Sequence, residues 1–148
     1  MNSNVKLSEQ LAILATLDPA SVAAGTVATG WVPMANVQSL MALIQTGVLG
    51  TGATVDAKLR QATDASGTGA KDIAGKAIAQ IVKASGDNVQ ALLECRADDL
   101  DTNNGFGFVA LSVTVANAAS ILGAALVGGN ARFEPASAFN QAAVKQVV

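Results

Sequence analysis

ATVDAKLRQAT, residues 53–63, alternates without a break: Ala53, Val55, Ala57 and Leu59 on one side, Thr54, Asp56, Lys58 and Arg60 on the other. Successive side chains of a strand point to opposite faces, so a period of two with the charges on one side reads as a half-exposed antiparallel strand. Gly47 and Gly50-Thr51-Gly52 mark a bend before it, and Thr63 to Gly69 (TDASGTG) reads as a hairpin-like loop after it.

The same pattern recurs further along. From Val89 to Ala97, Val89, Ala91, Leu93 and Cys95 alternate with Gln90, Glu94 and Arg96, and the Asp98–Gly105 turn ends in Asn-Gly. Phe108 to Val115 places Val109, Leu111, Val113 and Val115 inward, and Ile121 to Val127 is expected to be its partner strand. Phe106 to Gly129 carries no charge and is long enough to span a bilayer. Its β-branched first half, with Asn117 and Ser120 in the middle, reads instead as two strands joined at Asn117.

Other segments are open. Residues 5–17 place Leu7, Leu11 and Leu14 at helical spacing, with Ser8 as a cap, yet LAILATL reads equally as a buried strand. Asp18-Pro19 is expected to break this element. Thr26–Thr29 reads as a strand; Val37–Gln45 and residues 71–83 read as strand or short helix. Strands at regular spacing with turn clusters between them predict a mainly β, single-domain antiparallel β-sandwich or barrel-like fold over residues 1–148. Residues 1–18 form an N-terminal arm or short helix in this reading, and residues 134–148 an extended C-terminal tail, disordered unless tied down.

Composition narrows the function. The 148 residues contain no His, no Tyr and one Cys, yet 51% are hydrophobic. A chain of this length buries roughly 68–70% of its unfolded surface and needs no metal or disulfide. Only 14% of residues are charged, the net charge is −2, and no basic run exists. Nucleic-acid binding needs a clustered positive footprint, so it is not expected. A weakly charged surface favours association. Cys95, in an alternating apolar stretch, reads as a buried inert thiol. No secretory signal is apparent.

The candidate chemistry fails on spacing. Gly69–Ala77 looks like a phosphate loop, but one residue too many separates its glycines, and Ala77 has no hydroxyl for Mg²⁺. Gly47–Gly52 lacks dinucleotide spacing. Asp98, Asp99, Asp101, Asn103 and Asn104 make an acidic turn without the distal glutamate of a calcium loop. No Ser-x-x-Lys occurs, and no His is present to serve as a base. No enzyme activity, catalytic residue, metal or cofactor is expected.

A resemblance adds to this reading. GVLGTGATVDAKLRQATDASGTGAKDIAGKAIAQI (47–81), NVQALLECRADDLD (88–101), GFGFVALSVTVANAAS (105–120), LVGGNARFEPAS (126–137) and DPASVAAGT (18–26) resemble a family of small proteins encoded beside capsid genes in tailed bacteriophages and prophages. The motifs are structural. The resemblance implies a virion component assembled in the bacterial host cytoplasm. Within it, a head decoration or cement protein stands beside a neck, head-completion or tail-associated role. The implied partners are the major capsid protein, other virion subunits and further copies of this chain. Trp31, Arg132, Phe133 and Phe139 are the expected interface anchors, because large aromatics and Arg dominate interface energetics. A small-ligand or carbohydrate-binding module is the rival from another class. It needs an aromatic-lined pocket, and Trp31, Phe106, Phe108, Phe133 and Phe139 are scattered.

Overall fold

The structure, a computed structural model, describes residues 4–148. Its strands in chain order are β1 (Leu11–Val22), β2 (Gly25–Ala28), β3 (Val32–Pro33), β4 (Val37–Thr46), β5 (Thr54–Ala62), β6 (Lys71–Ala77), β7 (Ile81–Val82), β8 (Gln90–Arg96), β9 (Phe108–Ala116) and β10 (Ser120–Ala131). They form two antiparallel sheets packed as a sandwich. The first has the order β1-β10-β4-β8; the second has β2-β9-β5-β6, with β3 also on β9 and β7 on β5.

The alternating stretch that opens the sequence reading is β5, and it sits inside the second sheet. Val55 pairs with Val115, Ala57 with Val113 and Leu59 with Leu111, all six buried; Asp56 faces Thr114 and Lys58 faces Ser112 on the outside. The inner face of the first sheet supplies Leu40, Ile44, Leu122 and Leu126, and the two inner faces merge into one core. Each such side chain contributes about 1.5–3 kcal/mol of transfer free energy on full burial.

The loop after β5 is a hairpin, as its composition requires. Asp64 Oδ1 accepts hydrogen bonds from the Ser66 and Thr68 N–H groups, and the Thr63 N–H donates to the Thr68 carbonyl. Gly67 has φ +83°, and a Cβ there would lie 2.5 Å from Trp31 Nε1. The indole therefore packs directly on this glycine.

Several expectations change. The Phe106–Gly129 run is two strands turning at Asn117 (φ 72°), but β9 and β10 are not partners. β9 pairs with β2, β3 and β5 in the second sheet, and β10 pairs with β1 and β4 in the first. Every strand of a sandwich is apolar on its inner face, so the pattern does not say which sheet a strand joins. Asp18-Pro19 does not end the first element. β1 runs through it, with a register shift between Leu17 and Ala20. Pro is tolerated there because β1 is an edge strand and a bulge removes the need for its N–H.

Residues 5–17 satisfy both readings in turn. A single helical turn, α1 (Leu7–Gln10), leads straight into β1. Its cap is Lys6 rather than Ser8: the Glu9 carboxylate accepts the Lys6 N–H at 2.8 Å. Val37–Thr46 is strand throughout. Residues 71–83 divide into β6, β7 and the start of a four-residue helix, Lys83–Gly86. The C-terminal segment is tied to the fold by a 3-10 turn, Ala136–Phe139, with Ala136 fully buried. The Ile13 N–H donates to Asn140 Oδ1 at 2.7 Å, and the Gln141 N–H to the Ile13 carbonyl at 2.7 Å. These bonds close part of the free edge of β1.

Candidate functional site

The two outer faces of the sandwich differ in kind. On the second sheet the outward side chains include Thr26, Thr114, Asp56, Lys58, Ser112 and Arg60. Thr26 and Thr114 share a hydrogen bond of 2.9 Å, and Asp72 on β6 takes both Lys58 (2.9 Å) and Arg60 (3.1 Å). This face is built for water.

The outer face of the first sheet has an apolar centre with polar side chains around it, among them Ser39, Gln45 and Gln90. Its register aligns Ile13, Val127, Met41 and Glu94 in one row, and Thr16, Ala125, Leu43 and Leu92 in the next. Ile121 continues the face beyond them. The charges of this face stand on its two edge strands: Glu94 and Arg96 on β8 and Asp18 at the bulge of β1. Leu92 is 57% exposed and Ile121 47%.

A groove of about 400 Å³ is cut into this face, lined by Leu17, Pro19, Leu43, Ile121 and Ala125, with Asp18 beside them. It lies where β1 bulges, and small residues shape it. A Cβ at Gly47 would come within 2.8 Å of Ile121 Cγ2, and one at Gly123 within 3.2 Å of Pro19. A second, polar depression of about 720 Å³ involves Glu9, Gln38, Ser39, Asn130 and Glu134. No aromatic side chain lines either hollow.

The four expected anchors separate. Trp31 is half-buried against the β5–β6 hairpin. Phe139 is half-buried in the 3-10 turn that packs on α1 and β1. Arg132 and Phe133 stay together just past β10: Phe133 is 68% exposed, and the Arg132 guanidinium lies 5.9 Å from its ring centroid. Sequence reasoning missed the outer apolar rows. Their signal was present: LMALI (40–44) and ILGAALV (121–127) are apolar at both strand parities, so each strand has two faces to bury.

The acidic turn is internally paired. In the acidic turn, Asp99 accepts the Arg96 N–H and pairs with Lys76, while Asp101 pairs with Lys71 and takes Asn104 Nδ2 on both oxygens. These bonds hold both carboxyls below the ordinary aspartate range, led by Arg96 N–H for Asp99 and by Lys71 for Asp101. Burial pushes the Cys95 thiol up to about 11, and the negative charge of Asp99 adds to the effect. Among the described residues no group of three or more His, Cys, Asp or Glu is placed to hold a metal. No helix of the described residues is long and apolar enough to cross a membrane.

No protein-family model and no curated protein matches the chain. Among solved structures it is similar to a chain of the cowpea mosaic virus empty virus-like particle, at 12% identity and TM-score 0.44, covering 88% of this chain and 89% of that one. A chain of desmodium yellow mottle tymovirus is similar at 11% identity and TM-score 0.43, covering 93% and 97%. TmCBM61, solved in complex with β-1,4-galactotriose, is similar at 13% identity and TM-score 0.37, covering 73% and 68%. Likeness at this level carries no argument about function.

Proposed function

We propose that this chain is a structural subunit of a bacteriophage virion, a decoration or cement protein that docks on the head lattice. One observation carries the reading: the outer face of the first sheet has an apolar centre of Ile13, Met41, Leu43, Leu92 and Val127, while that of the second is polar and ion-paired. A sandwich with an apolar centre on one outer face and ion pairs on the other is suited to lying with the first face against a larger body. The sequence resemblance to capsid-associated phage proteins supplies the setting.

The size of the face fits the task. Four strands at ~4.8 Å spacing, about ten residues long at ~3.4 Å each, span roughly 650 Å² in plan. A standard specific interface takes roughly 800 Å² from each partner, and relief from protruding side chains makes up the difference. The mechanism is additive. Each docked copy removes Ile13, Met41, Leu92 and Val127 from water and links the lattice subunits beneath it. The shell then resists the pressure of packaged DNA through many small interfaces.

The test is the protein inventory of purified phage particles. Copies in number comparable to the major capsid protein, and particles that lose thermal stability when stripped of this chain, are the expected result. A dozen or fewer copies would place it at the neck or tail instead. Particles lacking the chain altogether would overturn the proposal.

A further inference from the structure

Two exposed features lie at opposite ends of β10, and the fold accounts for neither. Past the end of the strand stand Arg132 and Phe133, the aromatic 68% exposed and the guanidinium beside its ring. The Arg132 side chain is in no ion pair among the described residues. At the start of the strand lies the groove of Leu17, Pro19, Leu43, Ile121 and Ala125, with the exposed Asp18 carboxylate beside it. Asp18 accepts a hydrogen bond from the Thr16 hydroxyl at 3.1 Å and likewise has no cationic partner among the described residues. From Ile121 to Phe133 the strand path covers ~40 Å at ~3.4 Å per residue, so Phe133 is far from its own groove.

We propose that Phe133 of one copy seats in the groove of a second copy, with Arg132 against that copy's Asp18. The chemistry matches at both points: an aromatic knob meets an apolar hollow, and a free cation meets a free anion. Aromatic and Arg side chains in desolvated pockets are what anchor interfaces. The charge pair contributes register and partner choice more than affinity. A knob at one end and a hollow at the other make the contact heterologous, so copies join head to tail and close into a ring where the rotation allows. The inference rests on reading the chain as an assembly subunit, and it names the first partner as another copy of itself.

The purified full chain tests this without any particle. Sedimentation velocity over a concentration series should show wild-type association. Phe133→Ser should weaken it on the order of 30-fold, the size of an aromatic hot spot. Asp18→Arg and Arg132→Asp should each weaken it, while the double variant, or a mixture of the two single variants, should restore it. All of these positions are exposed, so circular dichroism and melting should match the wild type. A wild-type chain that stays monomeric, or association indifferent to Phe133→Ser and to the charge exchange, would overturn the inference. Neither result touches the virion proposal, because a monomer can still dock on a shell. Conversely, a chain absent from particles that still associates through Phe133 would sink the virion reading alone.

Discussion

Replacing Leu92 with Glu separates docking from folding. Leu92 sits on β8 opposite Leu43, at the outer face of the first sheet, and is 57% exposed. Full burial of a Leu side chain is worth about 1.5–3 kcal/mol. The exposed fraction leaves about 1–2 kcal/mol of that for a partner to collect. Leu92→Glu forfeits this amount, and the desolvation of a carboxylate in the interface adds to the loss. Under the docking proposed above, the affinity of each copy for the shell should fall by at least about tenfold. The free subunit should hardly notice, since surface substitutions shift stability by only about 0.5 kcal/mol. Leu59→Ala is the contrasting control: Leu59 is fully buried in the core, and such truncations cost about 2–5 kcal/mol. The assay is rebinding of purified variants to stripped particles, read by co-sedimentation, beside urea unfolding of the free chains. Wild-type rebinding by Leu92→Glu would refute the role given to this face. So would a loss of stability on the scale of Leu59→Ala.

Four further outcomes follow from the geometry. Gly67→Ala should destabilise by about 1–2 kcal/mol in denaturant titrations, because an L-residue is strained at φ +83° and its Cβ would press on the indole of Trp31. Asn140→Ala should cost about 1 kcal/mol and raise hydrogen exchange at the Ile13 amide, which loses its 2.7 Å acceptor. Asp64, Asp72, Asp87, Asp99 and Asp101 all titrate below the ordinary 3.8 in the folded chain. Their stabilisation is full above that value and is lost as pH falls through the lower folded values, so melting temperature should hold near neutrality and drop on acidification below about 4. Cys95, with its thiol pushed up to about 11, should resist alkylation at neutral pH until the chain is unfolded.

The fold was most legible where a strand has one wet side. β5 and β8 mix charged and apolar residues, so alternation shows both the strand and its inward face. β4 and β10 are apolar on both sides, and periodicity cannot choose between strand and helix, or between core and outer surface. The turn at Asn117 was readable, but a turn does not say whether the next strand returns to the same sheet. Pro19 misled because its usual meaning assumes a strand with two neighbours, whereas β1 has one, β10. The candidate site was half-visible. Residue type points to Phe133, Arg132, Trp31 and Phe139 alike; only the backbone course shows that Phe133 is the exposed one while Trp31 and Phe139 are half-buried. The apolar rows of the first sheet come from four strands far apart in sequence, and no single segment displays them.

The seating of Trp31 on Gly67 gives the molecule an optical gauge of its own. The chain has one Trp and no Tyr, so its ultraviolet emission comes almost wholly from this one indole. The indole rests on the hairpin of the second sheet, across the sandwich from the apolar face. Its colour and intensity therefore follow the melting of the subunit and stay blind to what the far side touches. Melting of the subunit can therefore be followed without a label, bound or free.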